Sequence, residues 1–384
     1  MGPRLGIRMG ACRSLVHSGR FPPGGSVAAS SLTAASAPLP QDGPAEVLPG
    51  VETVLAQALD WLDRRVGYDA ARALAYDPDV LIPVSLTARE PLLDQEHVVA
   101  ACWNEQAEAD VCKFSDLARS RQHVAVLTAE QAEARQSSRW RNLIIPDGWR
   151  QELRAVAVDE RGHCWGSVTA FRESRRPFTE RDTAAVNRGL SQIAGRLSRA
   201  MVGGTTSSEP GGSASLWLSK TGELRFATPA GREWLARLQP PEMPGRADTI
   251  LTGLAVKVAT AIASSGPGSV PRPVSLRARG AHGQWIGLYG EPVTGPGGQV
   301  EGISVVIGPA RPAVVLPMLA AAYGLTAREQ EVIRGVLAGQ STRQISASLY
   351  ITGYTVQDHL KAIFAKVGVG SRGELAHRLA LQFT

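Results

Sequence analysis

Apolar residues recur at helical spacing near the C-terminal end of the chain. Between residues 353 and 367 they fall at positions i, i+4, i+7, i+8 and i+11, which places them on one face of an α-helix. These residues are Val356, Leu360, Ile363, Phe364 and Val367. The pattern predicts an amphipathic helix with one buried face and one polar, partly basic face.

Helix start signals recur in the same region. Ser or Thr stands where an N-cap oxygen accepts a hydrogen bond from the first helical turn. Three of these caps have Glu or Gln three positions later, which is the spacing of a capping box. The boxes are Thr326 with Glu329, Ser341 with Gln344 and Ser371 with Glu374, while Thr352 is a cap without an acidic partner and Gly339 and Gly368 are C-terminal stops. These signals predict four helices between residues 324 and 384.

A tight turn joins the second and third of these helices, and polar residues cover the outer face of the third. This arrangement is typical of a helix-turn-helix that reads the major groove of DNA. We expect Lys361 and His359 to contact phosphates, and Tyr354, Gln357 and Asp358 to face base edges. The predicted DNA-contacting set is completed by Arg343, expected at the DNA backbone, and by Thr352, Thr355 and Lys366.

Four amphipathic helices are also compatible with a small protein-binding bundle. From residue 324 to the end, seven Lys or Arg residues stand against four acids, a local charge of +3. A positive charge favours the phosphate backbone of DNA. Asp358 opposes this trend, unless it accepts a hydrogen bond from a cytosine amino group or orients Lys361.

The segment from Leu325 to Leu375 resembles the LuxR-type helix-turn-helix transcription regulators. The resemblance rests on the LT-x-RE opening, the Gly339 stop, the TV-x-x-HL core of the third helix and the KVGV-x-SR-x-EL close. It implies sequence-specific binding of double-stranded DNA by a homodimer paired through the fourth helix, and contact with RNA polymerase if the protein is an activator. Gly353 and Tyr354 depart from the family pattern, and Gly costs about 1 kcal/mol of helix propensity relative to Ala.

Residues 46–202 alternate between helical and strand-like patterns. This order predicts an α+β domain, because antiparallel strands and helices follow one another with short connections. In sequence, the predicted elements are a helix near residues 54–66, two strands around a turn at 77–79, a helix at 96–107, a strand at 123–127, a helix at 129–143, a hairpin within 152–171 and a closing helix at 190–201.

The stretch 152–182 resembles the GAF domains that precede LuxR-type ends in some actinobacterial regulators. The resemblance implies a sensor that binds a small-molecule ligand or dimerises through its terminal helices. Trp103, Trp140, Trp149 and Trp165 are candidates to line its pocket, and the alternative for each is a place in the core.

Residues 203–213 are rich in Gly, Ser and Thr, as in a flexible linker. Beyond them, two strands, a short helix capped by Thr228, a longer helix from Asp248 and three strands predict a second α+β domain, which resembles the PAS domains. The glycines at 295, 297 and 298 fit a hairpin turn better than a phosphate-binding loop, because no helix or Lys-Ser pair follows them.

Length and composition limit the remaining possibilities. A chain of 384 residues with 43% hydrophobic and 20% charged residues is typical of a folded protein of two or three domains. The net charge of +6 is too modest for a polybasic nucleic-acid coat. Residues 1–45 are basic at the start and then rich in Ser, Ala, Pro and Gly, which predicts a disordered tail; a targeting signal and an over-extended gene start are the alternatives.

The sequence lacks the common motifs of catalytic, metal-binding and nucleotide-binding sites. Cys12, Cys102, Cys112 and Cys164 form no C-x-x-C pair and have no His at zinc spacing. A nucleophile elbow, H-E-x-x-H and a P-loop are also missing, and no continuous apolar run reaches the length of about 18 residues that a membrane span needs. We therefore expect a cytoplasmic protein that is not an enzyme and has no catalytic residues, cofactor, metal or membrane partner.

These observations predict a multidomain protein. Its parts are a disordered tail over 1–45, an α+β GAF-like sensor domain over 46–202, a flexible linker over 203–213, an α+β PAS-like domain over 214–310 and an all-α four-helix LuxR-type domain over 311–384. The predicted function is transcription regulation by DNA binding under the control of the two upstream modules. The alternative is a ligand-binding or scaffolding sensor with weak or lost DNA binding.

Overall fold

The computed structural model describes residues 50–89, 95–174, 176–203, 212–239, 245–265, 273–280 and 284–380. All of them belong to one compact unit, Val47–Thr384. The predicted disordered tail over 1–45 and most of the predicted linker over 203–213 lie outside the described residues.

The first module is a five-stranded antiparallel sheet with helices on both sides, in the strand order β2-β1-β5-β4-β3. The predicted hairpin is confirmed, because β4 pairs with β5 in the register Ala155↔Val168. The elements are α1 (Val51–Val66), β1 (Ala70–Asp77), β2 (Ile82–Ala88), α2 (Gln95–Gln106), α3 (Phe114–Arg119), β3 (Val124–Thr128), α4 (Ala129–Ala134), β4 (Gln151–Val158), β5 (Cys164–Arg172), α5 (Glu180–Asn187) and α6 (Leu190–Val202).

The first and last helices of this module carry the apolar stripes that the sequence predicts. Leu55, Leu59 and Leu62 of α1 are buried with Leu197 and Met201 of α6 in one core. Burial of such side chains stabilises the fold by about 1.5–3 kcal/mol each, so the pairing of α1 with α6 is a main source of the module's stability.

The prediction of one continuous helix over residues 129–143 is wrong. Helix α4 ends at Ala134, Gln136 adopts a left-handed conformation with φ of 52°, and a separate π-helical turn covers Trp140–Ile144. The cause is tertiary, because the Asp110 carboxylate accepts a hydrogen bond from the Arg139 backbone N–H at 2.8 Å. That contact removes a donor that a continuous helix would need.

The second module repeats the same strand order, here β7-β6-β10-β9-β8. The predicted succession of two strands, helices and three strands is confirmed, although the longer helix begins two residues before Asp248. The elements are β6 (Ala214–Leu218), β7 (Leu224–Ala227), α7 (Pro229–Leu238), α8 (Arg246–Ser264), β8 (Val274–Arg279), β9 (Trp285–Thr294) and β10 (Val300–Pro309). The glycines after residue 294 form the β9–β10 turn, where Gly298 has φ of 77°.

Helix α8 is the one described helix that is long and apolar enough to cross a membrane, with 19 residues and a mean hydropathy of 1.3. Core helices of water-soluble proteins pass the same test, and 56% of the tested window is buried. Its residues Ile250, Leu251 and Leu254 belong to the core of the second module. The apolar composition of α8 is therefore explained by packing within this fold.

The C-terminal region is all-helical, which completes the predicted fold class of two α+β modules and a helical end. The four predicted helices are present, and one further helix precedes them. They are α9 (Pro312–Tyr323), α10 (Ala327–Leu337), α11 (Thr342–Leu349), α12 (Gly353–Val367) and α13 (Arg372–Ala380). Helix α9 was not predicted; its Val315 and Leu319 lie in the same core cluster as α1 and α6.

Arginines of the second module bind to backbone and carboxylate oxygens of the first. Arg246 donates to the Val84 carbonyl at 2.9 Å, and Arg277 donates to the Asp77 carboxylate at 2.7 Å. Arg279 donates to the carbonyl of Met201 at the end of α6. We call these contacts, made by Arg246, Arg277 and Arg279, the arginine joint.

Candidate nucleic-acid interface

The turn between α11 and α12 is set by local backbone chemistry. Tyr350 ends α11 in a left-handed conformation with φ of 55°, which turns the chain sharply. Thr352 then caps α12, because its hydroxyl accepts a hydrogen bond from the Thr355 N–H at 3.1 Å. The predicted helix-turn-helix geometry is therefore present at residues 342–367.

The inner face of α12 is the predicted apolar stripe. Val356, Leu360, Ile363 and Val367 are buried, and the partly buried Phe364 packs against the same core. Helices α10 and α11 both contact α12. The outer face of α12 is thereby fixed in orientation by the packing of its inner face.

The predicted reading residues lie on that outer face and are exposed. Tyr354 is 86% exposed, and Gln357 donates from its amide to the Thr342 hydroxyl at 3.5 Å. Lys361 and Asp358 form an ion pair of 3.4 Å whose side chains are 77% and 75% exposed. Such an exposed pair contributes little to stability, so both groups remain accessible to a ligand.

The other predicted contacts differ in their surroundings. Arg343 is exposed on α11, while Thr355 and His359 are half-buried beside the reading face. Lys366 lies near the far end of α12, where its ammonium contacts both carboxylate oxygens of Glu329 at 2.6 and 2.8 Å. Its charge is therefore engaged within the domain, and a contact of Lys366 with DNA stays a prediction.

Glu329 is 4% exposed, and its carboxylate links α10 to α12 through Lys366. Burial pushes its pKa upward, but hydrogen bonds from Lys366 and from the Thr326 N–H hold the pKa below the ordinary value of 4.5. The same carboxylate closes the predicted capping box with Thr326 at the start of α10. The box is thus both a helix cap and an anchor for α12.

Tyr350 is a surface residue of the turn that sequence reasoning missed. It is 95% exposed, and Tyr354 at the start of α12 is likewise exposed. Its signal in the sequence is weak, because a Tyr at the end of an amphipathic pattern reads as a core residue. Only the left-handed backbone places its ring outside the domain.

Three of the four tryptophans proposed for the pocket divide between core and cavity. The fourth, Trp103, is partly buried, and its Nε1 has no hydrogen-bond partner among the described residues. Trp140 and Trp165 are buried in the core, at 2% and 0% exposure. Trp149 lines a cavity and stacks on Phe171, with ring centroids 5.6 Å apart. Among the described residues, no group of three or more His, Cys, Asp or Glu side chains is placed to hold a metal ion.

Comparison with known proteins identifies the C-terminal segment. Residues 324–379 match the family described as "Bacterial regulatory proteins, luxR family", so these residues form a LuxR-type helix-turn-helix domain. The protein named "Probable transcriptional regulatory protein NarL" of Mycobacterium tuberculosis is 42% identical over 48 residues, which are 12% of this chain and 22% of that protein. The chain thus spans about a fifth of the length of that relative.

Solved structures show a more distant likeness. A complex of Vibrio cholerae VqmA with ligand and DNA is 18% identical over 44% of this chain and 81% of that chain, with a TM-score of 0.21. The PixJ GAF domain of Thermosynechococcus elongatus is 17% identical over 39% of this chain and 83% of that chain, with a TM-score of 0.26.

Proposed function

We propose that this chain is a sequence-specific DNA-binding transcriptional regulator whose helix-turn-helix is controlled by the two upstream modules. The observation that carries the proposal is the exposed polar face of α12 on a domain of the LuxR type. A buried apolar face fixes the helix while the polar face stays free, which is what insertion into a major groove requires.

In this proposal, α12 lies in the major groove of double-stranded DNA. Tyr354, Gln357 and Asp358 face the base edges, and Lys361 with His359 contacts phosphates. Arg343, Thr352 and Thr355 contact the backbone from the start of the motif. A homodimer places two copies of α12 on two half-sites, so the bound sequence has two-fold symmetry.

Control by the upstream modules has a physical route through α9. This helix follows β10 directly, packs against α6 and β8, and leads into α10. A small molecule bound upstream changes DNA affinity only if it binds one arrangement of the modules better than another. The protein acts in the cytoplasm, where its DNA lies, without a membrane partner, and it contacts RNA polymerase if it activates.

Selection from a random duplex library tests the proposal directly. The purified full-length chain is incubated with the library through repeated rounds, and the bound fraction is sequenced. We expect enrichment of one two-fold symmetric motif, bound at least about 10³ times more tightly than scrambled DNA. Binding of the enriched motif weakens steeply with salt because phosphate contacts release counterions.

The alternative function is a ligand-binding or scaffolding sensor that has weak or lost DNA binding. One observation favours it, namely that Asp358 partly neutralises Lys361 on the reading face. Under this alternative the library yields no enriched motif, and all fragments bind equally weakly. The same selection therefore separates the two functions.

A further inference from the structure

A cavity of about 140 Å³ lies on the sheet face of the first module. Its wall includes residues of β1, β2, β4, β5, α2, α8 and the π-helical turn, and it is mostly apolar. The apolar wall includes Leu74, Ile82, Leu86, Phe114, Leu143 and Phe171.

The size of the cavity limits what it can hold. An engineered protein cavity of about 150 Å³ with an apolar lining binds benzene. The present cavity is of that size and therefore accommodates one six-membered ring with a short substituent. Fused rings and longer chains are too large unless the wall moves.

Buried polar atoms in the wall determine the chemistry of the substituent. Arg154 lines the cavity with a side chain that is 4% exposed. Its Nη2 donates to Glu105 at 2.8 Å, but its Nε and Nη1 have no hydrogen-bond partner among the described residues. The Nε1 of Trp149 is likewise buried without a partner. All three atoms are donors, so a fitting molecule supplies an acceptor oxygen.

The charges around the cavity favour a neutral acceptor over an anion. Arg154 is paired with Glu105, and Arg139 is paired with Glu152 at 2.9 Å. A third arginine of the wall, Arg72, lies in the electrostatic field of Asp147 and Glu152, and Asp147 also pairs with His97 at 3.3 Å. Because the cations already face carboxylates, a bound carboxylate would add a buried negative charge that no unpaired cation compensates. A carbonyl oxygen accepts the same hydrogen bonds without that cost.

One side of the cavity belongs to the second module. Thr249 and Gly253 of α8 line it together with Ile82 of β2. The contact between α8 and β2 is close, because a Cβ added at Gly253 would lie 2.9 Å from Cγ2 of Ile82. Ile82 also belongs to the core of the second module. The cavity is therefore bounded by both modules.

We propose that this cavity binds a neutral single-ring molecule bearing a carbonyl oxygen, held between the first module and α8 of the second. The carbonyl accepts hydrogen bonds from Arg154 and Trp149, and the ring packs among the apolar side chains. The role of this ligand as a regulator of DNA binding rests on the proposed function, whereas its binding does not.

Three probes of one ring size test the chemistry on the unaltered full-length chain. Acetophenone carries the carbonyl, benzoate carries a negative charge, and ethylbenzene carries no acceptor. Isothermal titration is expected to show acetophenone binding about tenfold more tightly than either of the others. Equal affinity for acetophenone and ethylbenzene would overturn the proposal that a carbonyl oxygen of the ligand accepts hydrogen bonds. Tighter binding of benzoate than of acetophenone would overturn the proposal that the ligand is neutral.

Two variants test the named wall residues. Trp149→Phe removes one donor and keeps the ring, so acetophenone is expected to lose most of its advantage over ethylbenzene. Gly253→Ala places a Cβ 2.9 Å from Cγ2 of Ile82, so the wall must shift where these two lining residues meet, and acetophenone binding is expected to weaken at least fivefold. Gly195→Ala is the matched control, because its added Cβ meets no atom closer than 3.6 Å and affinity stays unchanged.

A direct contact measurement does not depend on how the variants fold. In the unaltered chain, ring protons of acetophenone are expected to show nuclear Overhauser effects to the Thr249 methyl group as well as to Leu74. Nuclear Overhauser effects to Leu74 without any to Thr249 would overturn the proposal that the ligand lies between the first module and α8. DNA binding is measured separately, so a chain that binds acetophenone but enriches no DNA motif refutes the proposed function and leaves the ligand site standing.

Discussion

On the exposed face of α12, some side chains are expected to determine the affinity for DNA and others the preference for a DNA sequence. Lys361 carries a charge on a flexible stem and is 77% exposed, whereas Gln357 presents an amide that is held lightly by Thr342. A lone charge attracts phosphates of any sequence, while an amide discriminates between bases. The two residues stand four positions apart on one helix and are a matched pair for a test.

Lys361→Ala is expected to weaken binding to all DNA sequences and to lower the slope of log affinity against log salt by about 1. Gln357→Ala is expected to change the preferred sequence and to leave that slope intact. Affinity is measured by fluorescence anisotropy at two salt concentrations on the selected motif and on single-base variants of it. If Lys361→Ala leaves both affinity and slope unchanged, Lys361 does not contact DNA.

Lys366 is expected to act on stability. Removing its ammonium leaves the buried Glu329 carboxylate short of a partner, so Lys366→Met should lower the free energy of unfolding of the domain by about 1–3 kcal/mol. The pKa of Glu329 is depressed in the folded state. Its contribution is therefore present above pH 4.5 and is lost as the pH falls through the folded pKa.

Urea denaturation followed by far-UV circular dichroism measures this effect at neutral pH and at about pH 3.5. Lys361→Met is the control, because it breaks an exposed ion pair and should change stability by less than about 0.5 kcal/mol. An equal effect of the two substitutions, or an effect of Lys366→Met that is no smaller at the lower pH, would contradict the role of the buried pair.

Single helices were predictable where their signals are local. The caps at Thr326, Ser341 and Thr352 are formed as predicted, because each needs only residues within one turn. The third predicted box is half-formed: the Ser371 hydroxyl accepts from the Glu374 N–H, but the Glu374 carboxylate accepts from the Gly370 N–H. Two other features were not predictable from local signals. The helix breaks after Ala134 because of contacts with residues distant in sequence. Helix α9 lacks a polar face, so its sequence shows no alternation of apolar and polar residues at helical spacing.

Substitution of two helical glycines in the LuxR-type domain is expected to change stability in opposite directions. Gly353, at the start of α12, has no atom within 4 Å of an added Cβ. Gly353→Ala should therefore stabilise α12 by about 0.5 kcal/mol through helix propensity. An added Cβ at Gly335 would lie 2.7 Å from Cγ1 of Ile345, so Gly335→Ala should destabilise the packing of α10 on α11 by about 1–3 kcal/mol.

Hydrogen exchange reports both effects locally, at the α12 amides for Gly353→Ala and at the α10 and α11 amides for Gly335→Ala. Slower exchange in Gly353→Ala and faster exchange in Gly335→Ala are expected. Should Gly353→Ala speed up exchange, the glycine is required by the backbone at the start of α12 and its departure from the family pattern has a structural cause.

At the scale of the whole molecule, the contacts between modules were not predictable from the sequence. Arg277 reads as an ordinary polar position of an edge strand, yet its guanidinium is buried and binds Asp77, Asp79 and the Val314 carbonyl of α9. It joins a hairpin of the first module, a strand of the second and α9, the helix that leads to the LuxR-type domain at residues 324–379. Sequence patterns of period 2 or 3.6 locate elements and carry no information on such long-range pairs.

Arg277→Met is expected to destabilise the chain by about 3 kcal/mol at neutral pH, because it leaves the Asp77 carboxylate buried and unpaired. Burial already raises the pKa of Asp77 above its ordinary value, although Arg277 and the Asp79 N–H lower it. A raised pKa means that the charged form destabilises the folded state, and loss of Arg277 raises it further. The defect should therefore shrink as the pH falls from 7 toward 4.

Calorimetry of the full-length chain across this pH range measures the defect. Arg225→Met is the control, since Arg225 pairs with Glu223 at 3.0 Å on an edge strand where both side chains are about half exposed. Adding Asp77→Asn to Arg277→Met should recover part of the lost stability by removing the buried charge. If the double variant is no more stable than Arg277→Met, the charge of Asp77 is not the cause. The arginine joint would then stabilise the chain through the Val314 carbonyl and α9.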